Sequence, residues 1–71
     1  MKNNQDFVKV YASGKLYLIE MLKVFLADNQ IESFILNQQD SSYLFGDIEL
    51  YVRKKDKEEA IKLIKKFEAN E

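Results

Sequence analysis

The sequence predicts an α+β domain in which two helices pack on one face of a three-stranded antiparallel sheet. The chain has 71 residues, which is enough for one domain with a modest core. Its apolar residues alternate in some stretches, as in strands, and recur at helical spacing in others. These stretches follow the order β-α-β-β-α. Helices with one apolar stripe each are best buried together against one side of a sheet.

The first strand is predicted at Asp6 to Ala12, a stretch rich in valine and aromatic residues. Strict alternation divides its side chains between the two faces of the sheet. One face takes Val8, Val10 and Ala12, and the other takes Phe7, Lys9 and Tyr11.

A helix is predicted next, after a possible cap at Ser13 and Gly14. We expect it to end near Asn29, because asparagine tolerates the left-handed conformation that often follows a helix. Its apolar residues form a broad stripe at helical spacing: Leu18, Met21, Leu22, Phe25 and Leu26.

The second strand is predicted at Ile31 to Leu36 and is apolar on both faces, with Ile31 and Ile35 on one and Phe34 and Leu36 on the other. Both faces of this strand could therefore be covered. The third strand, Asp47 to Arg53, alternates without a fault. Its inward residues are predicted to be Ile48, Leu50 and Val52, and its outward residues Glu49 and Tyr51.

The second helix is predicted to begin at Asp56, with Glu59 three residues later as in a capping box. Its apolar stripe consists of Ala60, Ile61, Ile64 and Phe67. The order of elements is that of a ferredoxin-like fold without its final strand, and it puts strand one beside strand three. We expect a flexible N-terminus at 1–5, one domain at 6–69 and a short tail at 70–71.

Composition excludes several kinds of chemistry. The chain has no cysteine and no histidine, so it has no disulfide, no thiolate nucleophile and no imidazole for proton transfer or metal binding. A magnesium ion at Asp40 would have only one acidic ligand, which seldom suffices. We therefore expect no catalytic residues, no metal and no cofactor. No apolar run approaches the ~18 residues of a membrane span, and we expect a cytoplasmic protein without membrane contact.

The connection between strands two and three runs from polar to aromatic and is a candidate binding site for a small ligand or a partner. Its polar groups could hold a ligand and its rings could stack on a planar one. The candidate residues are Asn37, Gln39, Asp40, Ser41, Ser42, Tyr43 and Phe45. Alternatively, Asp40 to Ser42 form a capped turn, Tyr43 and Phe45 cover the end of the core, and Gly46 supplies a permissive backbone. The connection is longer than the ~2–5 residues usual in hairpins, and both interpretations stay open.

A second candidate is the sheet face that points away from the helices, for which the alternation predicts the aromatic residues Phe7, Tyr11, Phe34 and Tyr51. Such a face favours self-association or a protein partner. The open alternative is a partly exposed face solvated by Lys9 and Glu49. RNA could stack on such aromatics, but the formal net charge is -1 and Glu49 adds a negative charge to the face. Nucleic acid is therefore not the expected partner.

At this point the residues resemble a known family. The run NQQDSSYLFGDIELYV, with VKVY before the first helix and IEMLKVFLADNQI through it, is similar to the small prokaryotic family of signal-transducing proteins named DUF2007. The resemblance covers about Phe7 to Phe67. It implies a PII-like, ferredoxin-like fold, a regulatory role without known catalytic residues, and partner or ligand contact at the connection between strands two and three. It also implies strand-edge pairing into a ring, and a glycine in the place of Gln30.

Overall fold

The computed structural model describes residues 6–37 and 47–69. Its elements are β1 (Phe7–Ser13), α1 (Leu16–Asp28), β2 (Ser33–Asn37), β3 (Ile48–Arg53) and α2 (Lys57–Ala69), with a 3₁₀ turn (Lys54–Asp56) before α2. The strand order is β1-β3-β2, and both pairs are antiparallel. The α+β class and the placing of β1 beside β3 are confirmed. The predicted N-terminal and C-terminal tails lie outside the described residues.

One core joins the sheet to both helices. Three inward side chains of β3 have no exposed surface, as their alternation predicts: Ile48, Leu50 and Val52. Buried residues of α1 and α2 belong to the same apolar cluster, so both helices lie on one side of the sheet: Ile19, Leu22, Leu26, Ala60, Leu63 and Ile64. Within residues 6–37 and 47–69, no helix covers the other side of the sheet.

The buried stripes of the helices differ in part from the predicted ones. In α1, Leu22 and Leu26 are buried as expected, but Met21 is exposed and Ile19 is buried in addition. In α2, Ala60 and Ile64 are buried and Phe67 packs against the core as predicted, whereas Ile61 is only half-buried and Leu63 is buried in addition. Both helices carry more apolar residues than one face can hold, so spacing alone allowed more than one choice of inward face.

A bulge in β1 reverses the predicted orientation of Tyr11. Residues up to Lys9 pair with β3 in simple register, with Lys9 opposite Tyr51, but Tyr11 then lies opposite Leu50. Val10 is therefore the extra residue of a β-bulge, after which the alternation changes face. Tyr11 packs against the core instead of lying on the face away from the helices, and that prediction was wrong.

The turn after α1 has the hydrogen bonds of a Schellman motif. The N–H of Gln30 donates to the carbonyl of Ala27, and the N–H of Ile31 donates to the carbonyl of Leu26, both at 2.9 Å. The left-handed residue is Gln30, with φ of 67°, and not Asn29 as predicted. Ile31 is buried in this turn, and β2 begins at Ser33 and not at Ile31 as predicted.

The start of α1 also differs from the prediction. The helix follows Lys15, which makes no side-chain cap hydrogen bond. Ser13 instead accepts a hydrogen bond from the Lys15 N–H at 3.1 Å through its hydroxyl oxygen. The serine thus shapes the tight turn between β1 and α1 and does not cap the helix itself.

Candidate functional site

Most of the predicted loop site lies outside the described residues. Asn37 is the last residue of β2, lies opposite Ile48 and is exposed. The remaining candidates fall in the part of the chain that the structure does not describe: Gln39, Asp40, Ser41, Ser42, Tyr43 and Phe45. Binding at this connection therefore stays a prediction.

The described residues form a second candidate site on the side of the sheet away from the helices. We name it the open face; it consists of Phe7, Lys9, Phe34, Leu36, Glu49, Tyr51 and Arg53. The register joins side chains from all three strands. Lys9 lies opposite Tyr51, and Tyr51 lies opposite Phe34, so these three form one row across the sheet. Phe7 is opposite Arg53 and Leu36 is opposite Glu49 on either side of that row.

Three aromatic rings pack against one another at the centre of the open face. The Phe34 and Tyr51 rings are stacked, with centroids 5.1 Å apart and planes at 4°. The Phe7 ring meets Phe34 edge to face, with centroids 5.0 Å apart. Both arrangements suit the charge distribution of aromatic rings and are worth about 0.5–1.5 kcal/mol per pair beyond burial. The rings support one another, although Phe34 is still 38% exposed and its neighbour Leu36 is 41% exposed.

Glu49 connects the aromatic cluster to a cation. The Tyr51 hydroxyl donates a hydrogen bond to one Glu49 carboxylate oxygen at 2.9 Å, and the Lys9 ammonium lies 3.4 Å from the other. The pKa of Tyr51 is raised, chiefly by this hydrogen bond, with further contributions from desolvation and the charge of Glu49. The positive charge of Lys9 acts in the opposite direction and lowers the pKa of Tyr51. The Tyr51 hydroxyl therefore stays protonated and fixes the orientation of the ring.

A second ion pair closes the other end of the open face. The Arg53 guanidinium donates to the Glu32 carboxylate, at 2.8 Å from Nη2 and 3.3 Å from Nε. Its central carbon also lies 5.3 Å from the centroid of the Phe7 ring, within the range of a cation–π contact. The sequence prediction missed this arginine, although it has the same parity in β3 as Glu49 and Tyr51. Glu32 precedes β2, and only the register between strands brings it to Arg53.

The open face can therefore present a fixed apolar surface between two sets of charges. Of the four aromatic residues predicted for it, Phe7, Phe34 and Tyr51 come together, and Tyr11 lies on the opposite side. Phe34 and Tyr51 turn one ring face toward each other, so those faces are not available to a planar ligand. An apolar surface with polar groups at its edges is suited to contact with another protein.

Within residues 6–37 and 47–69, no group of three or more Asp, Glu, His or Cys side chains is placed to hold a metal ion. Over the same residues, no helix combines the length and the apolar character that crossing a membrane requires.

Comparison with known protein families finds one family that matches the chain. The family described as "Putative prokaryotic signal transducing protein" (DUF2007) matches it over residues 7–68. The chain belongs to this family. The match takes in all three described strands, α1 and all of α2 except its last residue, so it includes every residue of the open face. No curated protein and no solved structure matches the chain.

Proposed function

We propose that this protein is a non-enzymatic, cytoplasmic signal-transducing module that binds a partner protein through the open face of its sheet. The observation that carries the proposal is the packed cluster of Phe7, Phe34 and Tyr51 on a side of the sheet where no described element lies over it. Membership of a signal-transducing family supports a role in which the protein passes information through contact with another molecule.

The open face suits protein binding because much of its order exists before a partner arrives. Binding immobilises side chains, at about 0.5–1.5 kcal/mol for each flexible one. On this face the rings hold one another, the Tyr51 hydroxyl is held by Glu49, and Arg53 is held by Glu32. Tyrosine and arginine are also enriched among residues that dominate binding energies. A partner therefore gains apolar contact at a small cost in ordering.

The chemistry of the face also defines the partner. The complementary surface has branched or aromatic side chains over Phe34 and Leu36. On the open face itself, the charged groups of Lys9, Glu49 and Arg53 already have partners within the chain. The complementary surface of the partner therefore needs charged groups only at its edges. A nucleobase is a poorer fit, because the stacked ring faces are occupied and Glu49 would repel phosphate. The absence of histidine and cysteine from the sequence supports a binding role over a catalytic one.

Site-specific photo-cross-linking tests this proposal. A photoreactive amino acid at Leu36 is expected to cross-link a specific protein in cells, whereas the same residue at Lys62, an exposed position on α2, is not. The cross-linked protein is then purified and its affinity measured by calorimetry. Phe34→Lys and Leu36→Lys are each expected to weaken binding by about tenfold or more, as for central contacts of an interface. Lys62→Glu serves as the control and is expected to leave affinity unchanged.

Two results would refute the use of the open face. One is equal cross-linking of the same protein from positions 36 and 62. The other is unchanged affinity of both lysine variants for the purified partner while their circular dichroism spectra remain native.

The connection between β2 and β3 supplies a second candidate, the binding of a small ligand or a partner by residues 37–46. It is favoured by the exposed position of Asn37 at the end of β2 and by the length of chain before β3 begins at Ile48. The resemblance to PII-like proteins stated from the sequence implies that this connection reaches partners. An amide NMR titration with nucleotides and common metabolites is expected to shift Asn37, Asp47 and the residues between them. Saturable shifts confined to other regions would contradict this candidate.

A further inference from the structure

Strand β2 is an edge strand that lacks the features by which proteins protect sheet edges. The strand order β1-β3-β2 leaves one side of β2 unpaired among residues 6–37 and 47–69. Its five residues include no charge, no proline and no glycine, and they pair with β3 without a bulge. The other edge strand, β1, has a bulge at Val10 and a lysine, Lys9, both of which hinder pairing of an edge. The outer side of β2 therefore offers backbone N–H and C=O groups to another strand.

The side chains of β2 indicate which strand can pair with it. From Ser33 to Asn37 the residues are polar, apolar, apolar, apolar and polar. This pattern is the same in both directions, so a second β2 that runs antiparallel about Ile35 matches it at every position. Phe34 then lies opposite Leu36 of the second copy on the open face, where both side chains are exposed in the single chain.

Ser33 supplies an independent observation at the same edge. Its Oγ atom is buried and has no hydrogen-bond partner among the described residues, which is unfavourable for a hydroxyl group. The pairing about Ile35 puts Asn37 of the second copy opposite Ser33, with Cβ atoms about 4.5–5.5 Å apart, as in cross-strand pairs that form hydrogen bonds. Rotation about the Cα–Cβ bond turns the serine hydroxyl toward this amide. An asparagine amide has two N–H donors, and the contact needs only one of them.

Helix α1 runs along β2 at the level that this arrangement requires. Ser13 and Asn37 both lie opposite Ile48, so β1 and β2 end at the same level. The helix starts three residues after Ser13 and runs back along β2 to the turn before Ser33. The middle of α1, near residue 22, therefore lies at about the level of Ile35 in the middle of β2.

The rotation of α1 decides which of its side chains point beyond the β2 edge. Phe25 contacts Phe67 of α2 and so marks the side of α1 that faces α2. The opposite side borders a groove of about 350 Å³, which Ser33 of β2 also lines. At about 100° per residue, four side chains on that side fall within about 60° of one another: Leu16, Glu20, Lys23 and Ala27.

We propose that β2 pairs antiparallel with β2 of a second copy of this chain, about a twofold axis between the two Ile35 residues, and forms one sheet of six strands. The axis is perpendicular to the sheet, so the helices of both copies lie on the same side of it. The two α1 helices then meet side by side in opposite directions. Glu20 lies opposite Lys23 of the second copy and Leu16 opposite Ala27 of the second copy, and each contact occurs twice.

Other uses of the β2 edge fit less well. The family resemblance found in the sequence implies a ring, which joins two different edges, but the second edge here is the bulged strand β1. An extended segment of another protein can also add to a free edge. Such a segment leaves Glu20 and Lys23 of α1 without counterparts, whereas a second copy supplies a charge of opposite sign to each. Pairing of β2 with itself uses one edge twice and closes as a dimer.

The dimer goes beyond the proposed function and is compatible with it. The open faces of the two copies become one continuous surface on the side of the sheet away from the helices. Phe34 and Leu36 contact the second copy only along their flanks, and their outer ends stay exposed to a partner protein. Two linked sites strengthen attachment to a partner that presents two copies of its own surface.

Disulfide trapping tests the register of the two β2 strands. The chain has no cysteine, so each introduced cysteine reports one position. Opposite residues of an antiparallel pair have Cα atoms about 4.5–5.5 Å apart, within the range of a disulfide. An equal mixture of Phe34→Cys and Leu36→Cys is expected to form disulfide dimers about tenfold faster than either variant alone, because equal positions are two residues out of register. Lys62→Cys on α2 measures the rate of random collisions.

Sedimentation velocity and amide hydrogen exchange test the contact in the unaltered chain. A dimer is expected to form as the protein concentration rises. Every second amide of β2 faces the second strand in the dimer and is expected to exchange about tenfold more slowly at high concentration than at low concentration. The amides of β1 are expected to exchange at the same rate at both concentrations.

Two variants are expected to weaken the dimer. Ser33→Lys places a charge at the edge of β2, and Lys23→Glu turns the contact with Glu20 of the second copy into a repulsive one. Each is expected to weaken self-association by about fivefold or more while the circular dichroism spectrum stays native. Lys62→Glu makes the same charge change on α2 and is expected to dimerise like the unaltered chain.

The proposal is overturned if the unaltered chain stays monomeric, if its β2 amides exchange at the same rate at all concentrations, or if Lys23→Glu dimerises as well as Lys62→Glu. It is also overturned if the mixed cysteine variants form disulfides no faster than each variant alone.

The dimer and the proposed function are tested apart. Lys23→Glu leaves the open face unaltered, and its monomer is expected to keep its affinity for the purified partner protein. A photo-cross-link from position 36 to a second copy has twice the mass of the chain and is thereby distinguished from a cross-link to a partner.

Discussion

The two faces of β3 show how one strand serves two purposes. Ile48, Leu50 and Val52 point toward the helices and have no exposed surface, whereas Glu49, Tyr51 and Arg53 alternate with them and remain partly exposed. The inward side chains are aliphatic and make non-directional contacts. The outward ones make a hydrogen bond, two ion pairs and ring contacts, each with a defined geometry.

The difference shows where stability and specificity come from in this small domain. Burial of aliphatic side chains stabilises the fold at about 25 cal/mol per Å² of apolar surface and does not depend on fine geometry. Exposed pairs of charges contribute about 0–1 kcal/mol each, but they fix the positions of neighbouring rings. We therefore expect changes on the inner face to alter stability and changes on the open face to alter binding.

The largest loss of stability is expected from Leu50→Ala, which changes a side chain on the inner face of β3. This change leaves a cavity between the central strand and both helices and is expected to lower the free energy of unfolding by about 2–5 kcal/mol. Urea unfolding followed by circular dichroism measures the change. Leu36→Ala removes the same atoms on the open face, where they are already partly exposed, and is expected to cost less than half as much. Equal costs would mean that the open face is also part of the core.

A smaller effect is expected at Tyr11, where the bulge decides which face the side chain joins. Because Tyr11 packs against the core, Tyr11→Ala is expected to lower the free energy of unfolding by about 1–3 kcal/mol. Tyr17→Ala makes the same truncation at an exposed position and is expected to cost less than about 0.5 kcal/mol at low protein concentration. Tyr11→Phe keeps the ring and separates its packing from the role of the hydroxyl. Equal losses for the two alanine variants would show that Tyr11 does not pack against the core and would contradict the orientation that the bulge gives it.

The smallest effect is on the ionisation of Tyr51. Its pKa in the folded state is raised above the ordinary value, so its contribution to stability is present below about pH 10 and is lost as the pH rises through the folded-state pKa. Glu49→Gln removes the negative charge of the carboxylate that accepts the hydrogen bond from the Tyr51 hydroxyl, and the pKa of Tyr51 is expected to fall toward its ordinary value. A pH titration of the Tyr51 ring signals by NMR measures it.

Lys9→Gln supplies the control of opposite sign, since the lysine charge lowers the pKa of Tyr51 and its removal is expected to raise it. A shift in the same direction for both variants would show that the contacts between Lys9, Glu49 and Tyr51 do not control this ionisation.

The architecture was predicted well from the sequence, because the spacing of apolar residues along a strand or helix indicates which of its faces is buried. The alternation in β3 identified its inward residues, and the order of elements identified β3 as the neighbour of β1. Phe7, Phe34 and Tyr51 were likewise correctly assigned to the open face. The prediction missed Arg53 and Glu32, because a pair of charges from different strands depends on register, and register is a property of two strands together.

The positions of the strands and helices, and the single core that joins them, follow from the amino-acid sequence, because they depend on the local spacing of apolar residues. Three other features became visible only in the folded chain: the face on which Tyr11 lies, the left-handed conformation of Gln30 and the outward position of Met21. Each depends on what an element packs against. The bulge needs the neighbouring strand, the turn after α1 needs a buried place for Ile31, and α1 has two apolar sides of which the sheet covers one.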